Sequence, residues 1–189
     1  MRAGDGPSGW GWVSRVLHWS MAALILFQLG FGLWMTRLVP DLLARFALTQ
    51  THKSWGAVIF LLACLRLAWR LANRVRPPLP PMPAWQARAA RTSHALLYLF
   101  MLLMPLSGWL LASASPVQDL LGMQNLVFGR WPLPDPFVPG SDRLEGALHL
   151  VHTSAAAALA LLLALHAAAA LRHQFVDRDA LLSRMLWRP

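Results

Sequence analysis

Two histidines in one long apolar segment are the residues of this chain best placed to do chemistry. His152 and His166 stand fourteen residues apart in an Ala/Leu-rich stretch. In an α-helix, fourteen residues return to within about 40° of the starting face and rise about 21 Å. A bilayer's hydrocarbon core is about 30 Å thick, so both imidazoles would lie inside it, one near each surface. Because ionisable groups are costly at that depth, the pair indicates a function and suggests two cofactors stacked across a membrane.

The composition indicates a membrane domain around these histidines. The chain has 189 residues, of which 57% are hydrophobic, and its mean hydropathy is +0.45. This is too apolar for an ordinary soluble domain. Four apolar stretches each have about the 20 residues that a spanning helix requires. They predict an all-α membrane protein with one four-helix transmembrane domain at 13–172, whose helices span about 13–36, 49–72, 92–114 and 146–172.

The net charge of +9 indicates membrane topology rather than a nucleic-acid-binding surface. Twelve of the seventeen Lys and Arg residues flank the first helix, the connection between helices two and three, or the end of helix four. The positive-inside rule therefore places both termini in the cytoplasm. On the other side, five basic residues face five acidic ones, so no nucleic-acid partner is expected.

The segments outside the predicted helices differ in character. An N-terminal arm, 1–12, precedes the membrane domain, and a cytoplasmic C-terminal tail, 173–189, follows it. Residues 40–48 are expected to form a tight external connection, and 74–83, with five prolines, a semi-rigid cytoplasmic spacer. The external segment 118–145 is the longest, and a loop of this length usually covers or binds something. The single cysteine excludes an internal disulfide, and no C-x-x-C-H motif for covalent haem attachment is present.

The predicted topology sorts four histidines into two pairs by depth. His18 and His166 lie near the cytoplasmic surface, whereas His52 and His152 lie near the external one. Two imidazoles at one level on different helices are what a six-coordinate b-type haem needs, and bundle cores are where such sites are built. A lone histidine at a helix end is more often an interfacial residue, but four at two matched depths favour ligation. The pattern therefore predicts two haem b groups with axial pairs His18–His166 and His52–His152.

The three remaining histidines are weaker candidates. His149 competes with His152, but it is rotated about 100° from the stripe that carries His166. His173 is expected in the headgroup region. His94 opens helix three at the cytoplasmic level, where it is either an interfacial residue or a ligand or quinone contact.

Basic residues beside these histidines are candidate partners of haem propionates. Arg15 and Arg91 each precede a histidine of the cytoplasmic level by about one turn, and Lys53 adjoins His52 on the external side. The alternative for each is a snorkelling charge that only marks the topology.

Sequence pieces in all four helices resemble the prokaryotic cytochrome b561 family. They are R-V-L-H-W at 15–19, T-H-K-S-W-G with a downstream L-R-L-A-W-R-L within 51–71, S-H-A-L-L-Y and M-L-L-M-P-L-S-G-W within 93–109, and L-H-A-A-A-A-L-R-H at 165–173. The resemblance implies a four-helix, di-haem, multi-pass protein of the bacterial inner membrane, with axial ligands at the same four histidines. It also implies ubiquinone or another membrane quinone as a substrate. Family members often have a Trp-His-Glu-like step at the start of helix four, where this chain has V-H-T at 151–153, so proton transfer by an acidic neighbour is not implied.

These observations predict a membrane electron-transfer oxidoreductase that exchanges electrons with quinone through two haems. Family members include enzymes that oxidise superoxide at the outer face. Here the external charges cancel, so only Lys53, Arg45 and Arg37 offer a local steering field for that anion. A second hypothesis is a di-haem membrane anchor for a soluble dehydrogenase or a periplasmic redox partner. A third is a haem-free structural or transport protein that uses its histidines as a metal or proton path.

Overall fold

The computed structural model describes residues 2–7, 9–73, 75, 77–78, 80–120, 122–179 and 181–186. The helices in these ranges are α1 Trp12–Arg37, α2 Leu42–Ala72, α3 Ala84–Ser113, the short α4 Pro116–Leu120, and α5 Asp142–Arg172. The described residues also include two antiparallel strands of two residues each, β1 Leu126–Val127 and β2 Trp131–Pro132. A π-helical turn, His173–Asp177, continues α5, and a 3-10 turn, Ser183–Met185, lies near the C-terminus.

The four long helices form a bundle with a mainly apolar outer surface. Each is long and apolar enough to cross a membrane, and only 11–22% of the most apolar 18-residue window of each helix is buried inside the protein. Backbone polar groups within a spanning helix bond to each other, so such helices are compatible with a lipid surrounding. The prediction of an all-α membrane bundle with four apolar helices is therefore confirmed.

The core of the bundle receives side chains from all four long helices. Helix α3 packs along α2 and α5, and α1 packs along α2. Leu159 of α5 lies seven residues from both His152 and His166, so the core lies between the two histidine levels. The buried core consists of Met21, Ile25, Ile59, Ala63, Leu97, Met101 and Leu159.

Helix α2 begins seven residues earlier than predicted, at Leu42 rather than 49. The Asp41 carboxylate accepts a hydrogen bond of 2.6 Å from the backbone N–H of Ala44, which caps the helix. The prediction of a tight connection at 40–48 was therefore wrong. Hydropathy identified only the part of the helix apolar enough for the membrane interior, and the cap lies outside that part.

Helices α3 and α5 also begin before the predicted apolar stretches. Helix α3 starts at Ala84 rather than 92, because the intervening residues include several strong helix formers. Helix α5 starts at Asp142 rather than 146, where the Ser141 hydroxyl accepts from the backbone N–H of Leu144. In the expected spacer 74–83, Arg74, Arg76 and Leu79 lie outside the described residues, as do Ala180 and 187–189 of the expected tail.

The segment between α3 and α5 folds over one end of the bundle, which we call the loop end. Trp109 of α3 donates its indole N–H to the carbonyl of Pro134 at 2.8 Å. The backbone N–H of Phe128 donates to the Ser54 hydroxyl of α2 at 2.8 Å. The loop is therefore tied to two of the helices beneath it.

Asn125 is the buried centre of this loop, with 1% of its surface exposed. Its side-chain carbonyl accepts from the ammonium group of Lys53, and its amide N–H donates to the carboxylate of Asp135. Gln118 offers Lys53 a second acceptor at 3.5 Å. Asn125 thus connects the cation beside His52 to a loop carboxylate.

The opposite end, which we call the terminal end, carries the segments near both chain termini. The indole N–H of Trp19 donates to the carbonyl of Met185 at 2.9 Å, and Arg184 donates to the carbonyl of Pro78 at 2.8 Å. The C-terminal segment therefore packs back against α1 and the proline-rich connection.

Candidate functional site

The structure brings the four predicted histidines together in two pairs at opposite ends of the bundle. The ring centres of His18 and His166 are 6.3 Å apart, with their planes inclined by 54°. The ring centres of His52 and His152 are 6.4 Å apart, with their planes inclined by 86°. Helix α5 supplies one ring to each pair, and the partner ring comes from α1 or α2. All four rings are half-buried among the helices.

Both separations suit a metal ion held between two imidazoles. Metal–imidazole bonds are about 2.0–2.1 Å long, so two rings on opposite sides of one ion have centres roughly 6 Å apart. The fourteen-residue spacing on α5 sets the two levels about 21 Å apart along the helix axis. The arrangement can therefore hold two metal centres at different depths.

Two glycines leave the room that the loop-end histidine rings occupy. A Cβ atom on Gly32 of α1 would lie 3.2 Å from Cε1 of His52. A Cβ atom on Gly108 of α3 would lie 3.0 Å from Cε1 of His152. Each glycine thus faces one ring of the pair, and any side chain there would press on it.

The orientation of the His152 ring is set by Ser107, which is buried in α3. The Ser107 hydroxyl lies 2.9 Å from Nδ1 of His152 and 2.9 Å from the carbonyl of Met104. A hydroxyl has one proton, and a carbonyl can only accept it, so the His152 Nδ1–H donates to Ser107. This tautomer leaves Nε2 free to bind a metal, an arrangement common among metal-binding histidines.

His52 is tied to α1 through its backbone rather than its ring. The buried Gln28 donates from Nε2 to the His52 carbonyl at 2.8 Å. The ring Nδ1 of His52 is buried and has no hydrogen-bond partner among the described residues. The ring therefore has a polar atom that the described part of the protein does not satisfy.

The His18–His166 pair lies toward the terminal end of the bundle, and we call it the terminal level. Arg66 of α2 contacts His18 of this pair. Its Nη2 lies 2.9 Å from Nδ1 of His18. The guanidinium carbons of Arg66 and Arg70 lie 5.6 and 5.2 Å from the ring centre of Tyr98, which is within cation–π range. Arg66 thus lies between His18 and Tyr98, and Arg70 approaches the same tyrosine ring.

Arg66 and Arg70 are among the twelve basic residues that the sequence explains as topology charges, and their contacts at this level were not predicted. A signal was available, because Arg66 follows His52 by fourteen residues, the spacing that relates His152 to His166. The same periodicity places Arg66 on the histidine-bearing face of α2, one level away. Ser107 and Gly32 carried no comparable signal, since their roles depend on contacts between different helices.

His94 is a third histidine at the terminal level. Its ring centre is 5.4 Å from that of His166, with the planes inclined by 66°. Its side chain is exposed on the protein surface. His94 therefore lies beside the terminal pair and is accessible from outside the bundle.

The predicted cationic neighbours occupy three different settings. Arg15 has a buried Nε with no hydrogen-bond partner in the described part of the chain. Lys53 donates to Asn125 and Gln118 of the loop. Arg91 is exposed on α3. Of these three cations, only Arg15 thus has a buried donor that lacks an acceptor within the described ranges.

The two remaining histidines belong to neither pair. His149 is exposed on α5. The Nδ1 atom of His173 lies 2.6 Å from the carboxylate of Asp179 and 3.3 Å from that of Asp177. His173 therefore takes part in a separate polar cluster at the terminal end.

Comparison with known proteins identifies the family. The family model described as prokaryotic cytochrome b561 matches residues 9–188. The chain belongs to the prokaryotic cytochrome b561 family. It is 30% identical over 182 residues to cytochrome b561 homolog 2 of Escherichia coli strain K12, covering 95% of this chain and 92% of that relative. It is 32% identical over 142 residues to cytochrome b561 homolog 1 of the same organism, covering 74% of each.

Family membership gives the geometry a chemical meaning. A prokaryotic cytochrome b561 is a multi-pass bacterial membrane protein that carries haem b and transfers electrons. Haem b fits the residues present, because it supplies an iron for paired imidazoles and carboxylates for a donor such as Arg15 Nε. The absence of side chains at Gly32 and Gly108 lets the His52 and His152 rings pack against neighbouring helices while one side of each ring stays available for a metal.

We expect Gly32→Val and Gly108→Val each to reduce the haem content of the purified cytochrome by displacing a loop-end ring. Pyridine extraction measures the haem per chain. The matched controls are Gly30→Val and Gly146→Val, because no atom lies within 4 Å of a Cβ built at either position. Equal haem content in all four variants would show that the ring positions do not depend on these glycines.

Proposed function

We propose that this protein passes electrons across the bacterial inner membrane through two b-type haems. His18 and His166 hold one haem, and His52 and His152 hold the other. The observation that carries the proposal is the pair of facing imidazoles at each end of the bundle, with ring centres 6.3 and 6.4 Å apart. Bis-imidazole ligation within a helical bundle is an established way to hold such a cofactor.

The charge distribution supports one orientation in the membrane. Twelve of the seventeen basic residues flank the helix ends of the terminal side, counting from the sequence. We therefore place the terminal end in the cytoplasm and the loop end on the external face. Electrons that pass between the two haems then cross most of the membrane thickness.

The side chains of the bundle position and insulate the two levels. When bound, haem supplies a one-electron iron couple at each level. The hydrogen bond from His152 to Ser107 holds one ring in its tautomer. Met21, Met101 and Leu159 fill the space between the levels with apolar atoms and exclude water from it. No protein group has to gain or lose a proton for an electron to pass.

We further propose that the cytoplasmic level exchanges electrons with ubiquinone or another membrane quinone. His94 supports this assignment, because it lies beside His166 and is exposed on the outer surface of the bundle. Its ring can donate to or accept from a quinone oxygen. The exposed Arg91, three residues earlier on α3, is a second candidate contact.

Two kinds of electron donor fit the loop end. Superoxide is a small anion, and Lys53 is the cation beside His52. However, Lys53 is held by Asn125, which also binds the Asp135 carboxylate, so Lys53 itself adds little net positive charge. The alternative is a periplasmic redox protein, for which the loop exposes Phe128, Trp131 and Val138. An exposed apolar surface at the aqueous end of a membrane protein favours docking of a protein partner.

Single substitutions of one histidine from each pair test the haem assignment. We expect His18→Ala and His52→Ala each to abolish the low-spin signal of one haem in the electron paramagnetic resonance spectrum and to leave the other. His149→Ala is the control, because this histidine lies outside both pairs, and it should retain both signals. If His18→Ala and His52→Ala also retained both signals, the pairs would not be the ligands.

Substitution of His94 tests the quinone assignment. We expect His94→Ala to retain both low-spin haems but to slow reoxidation of the dithionite-reduced protein by a short-chain ubiquinone by about tenfold or more, since a lost hydrogen bond to a bound group costs about 1.5 kcal/mol. Stopped-flow absorbance measures this rate. His149→Ala again provides the matched control. A His94→Ala rate equal to that of the wild type would place the quinone elsewhere.

A further inference from the structure

The two histidine levels differ in the charge that the protein places around them. At the terminal level, Arg66 contacts His18, and Arg70 lies against Tyr98 beside it. Arg15 adds a guanidinium with a buried Nε. Among the described residues, no carboxylate forms a salt bridge with any of these three arginines. The terminal level is therefore surrounded by uncompensated positive charge.

The nearby carboxylates of the terminal end are engaged elsewhere. Asp5 accepts from the backbone N–H of Gly11, and Asp177 and Asp179 interact with His173. Arg172 adds a further contact to Asp177 at 3.6 Å. These acidic residues therefore form their own contacts and leave the arginine cluster without an anionic partner from the described chain.

At the His52–His152 pair, which we call the loop level, positive and negative charges are more nearly balanced. Lys53, the cation next to His52 in the sequence, is connected through Asn125 to the carboxylate of Asp135. The ring of His152 donates a proton to the neutral hydroxyl of Ser107, which makes the imidazole a better electron donor to a metal. The protein thus supplies almost no net charge to this level.

This difference acts directly on the ease of reduction. Reduction lowers the charge of an iron centre by one, so a nearby cation stabilises the reduced state, most strongly in a low-dielectric interior. Both haems bring the same carboxylates, and the difference between the levels is therefore set by the protein. Hydrogen bonding and net charge are established determinants of the potential of a bound iron cofactor.

We propose that Arg66, together with Arg70, makes the terminal haem the easier one to reduce, so that the bundle conducts electrons from the loop end to the terminal end. The proposal rests on the two-haem function proposed above. With haem bound at both pairs, one electron would pass from the iron couple held by His52 and His152, which would be oxidised, to the couple held by His18 and His166, which would be reduced. No proton or other atom is exchanged.

Arg66 acts through its positive charge beside His18 and takes no part in the electron transfer itself. A guanidinium only donates hydrogen bonds, so its contact with Nδ1 of His18 requires that nitrogen to be an acceptor. When the neutral ring binds iron through Nε2, Nδ1 carries the proton and Arg66 needs another acceptor, such as a haem carboxylate. The Arg66 guanidinium also lies 5.6 Å from the ring centre of Tyr98 on α3, a second contact that keeps its charge at the terminal level.

The experiment is a potentiometric absorbance measurement on the purified full-length holoprotein. His152→Ala, which should retain only the terminal haem, identifies the reduction wave of that level. We expect this wave to lie above the other in the wild type. In Arg66→Gln, the one-electron equilibrium constant of the terminal haem should shift about tenfold toward the oxidised form, which corresponds to about 59 mV. The wave of the loop-level haem should stay in place. Arg70→Gln is a second test of the same cluster and should shift the wave of the terminal haem in the same direction.

Two controls test whether the shift comes from the charge of Arg66 itself, rather than from lost packing or from the loss of any surface charge. Arg66→Lys retains the charge and should keep the terminal wave near its wild-type position. Arg88→Gln removes the same charge from an exposed position on α3 and should shift neither wave. A terminal wave below the loop wave, or equal shifts in Arg66→Gln and Arg66→Lys, would overturn the proposal. Fewer than two haems in the wild type would instead contradict the proposed function itself.

Discussion

The structure depends on one constraint, which is that an imidazole in an apolar membrane interior requires a partner. Four half-buried histidines occupy two depths of this bundle, and each faces another across a gap of the width that a metal ion requires. Much of the surrounding sequence serves this arrangement. Glycines stand where rings approach a neighbouring helix, a buried serine receives one ring proton, and an apolar core separates the two depths.

Different groups surround the histidine pairs at the two ends of the bundle. At the loop end, neutral groups and a balanced Lys53–Asn125–Asp135 bridge surround the rings, and the covering loop is tied to the helices below. At the terminal end, Arg66 contacts His18, and His94, which is exposed on the outer surface of the bundle, lies beside His166. The two histidine pairs share helix α5, and the different groups around them favour electron transfer in one direction.

Much of this organisation can be predicted from the sequence, because it follows from periodicity and hydropathy. Apolar runs predicted the four helices, and a fourteen-residue spacing combined with charge-derived topology predicted which histidines would face each other. The helix starts were predicted less well, since Asp41 and Ser141 cap the helices outside the apolar runs. The role of Arg66 was missed because a charge near a helix end already had an explanation in topology. The bridge through Asn125 was not predictable, since it joins positions 72 residues apart along the chain.

The number of haem groups in the purified wild-type protein tests the two-pair arrangement most directly. A dithionite-reduced minus oxidised spectrum combined with pyridine extraction gives this number per chain. We expect two low-spin b-type haems for each chain, one for each histidine pair. A single haem would remove one pair from the electron path, and a colourless, folded protein would contradict haem ligation by either pair.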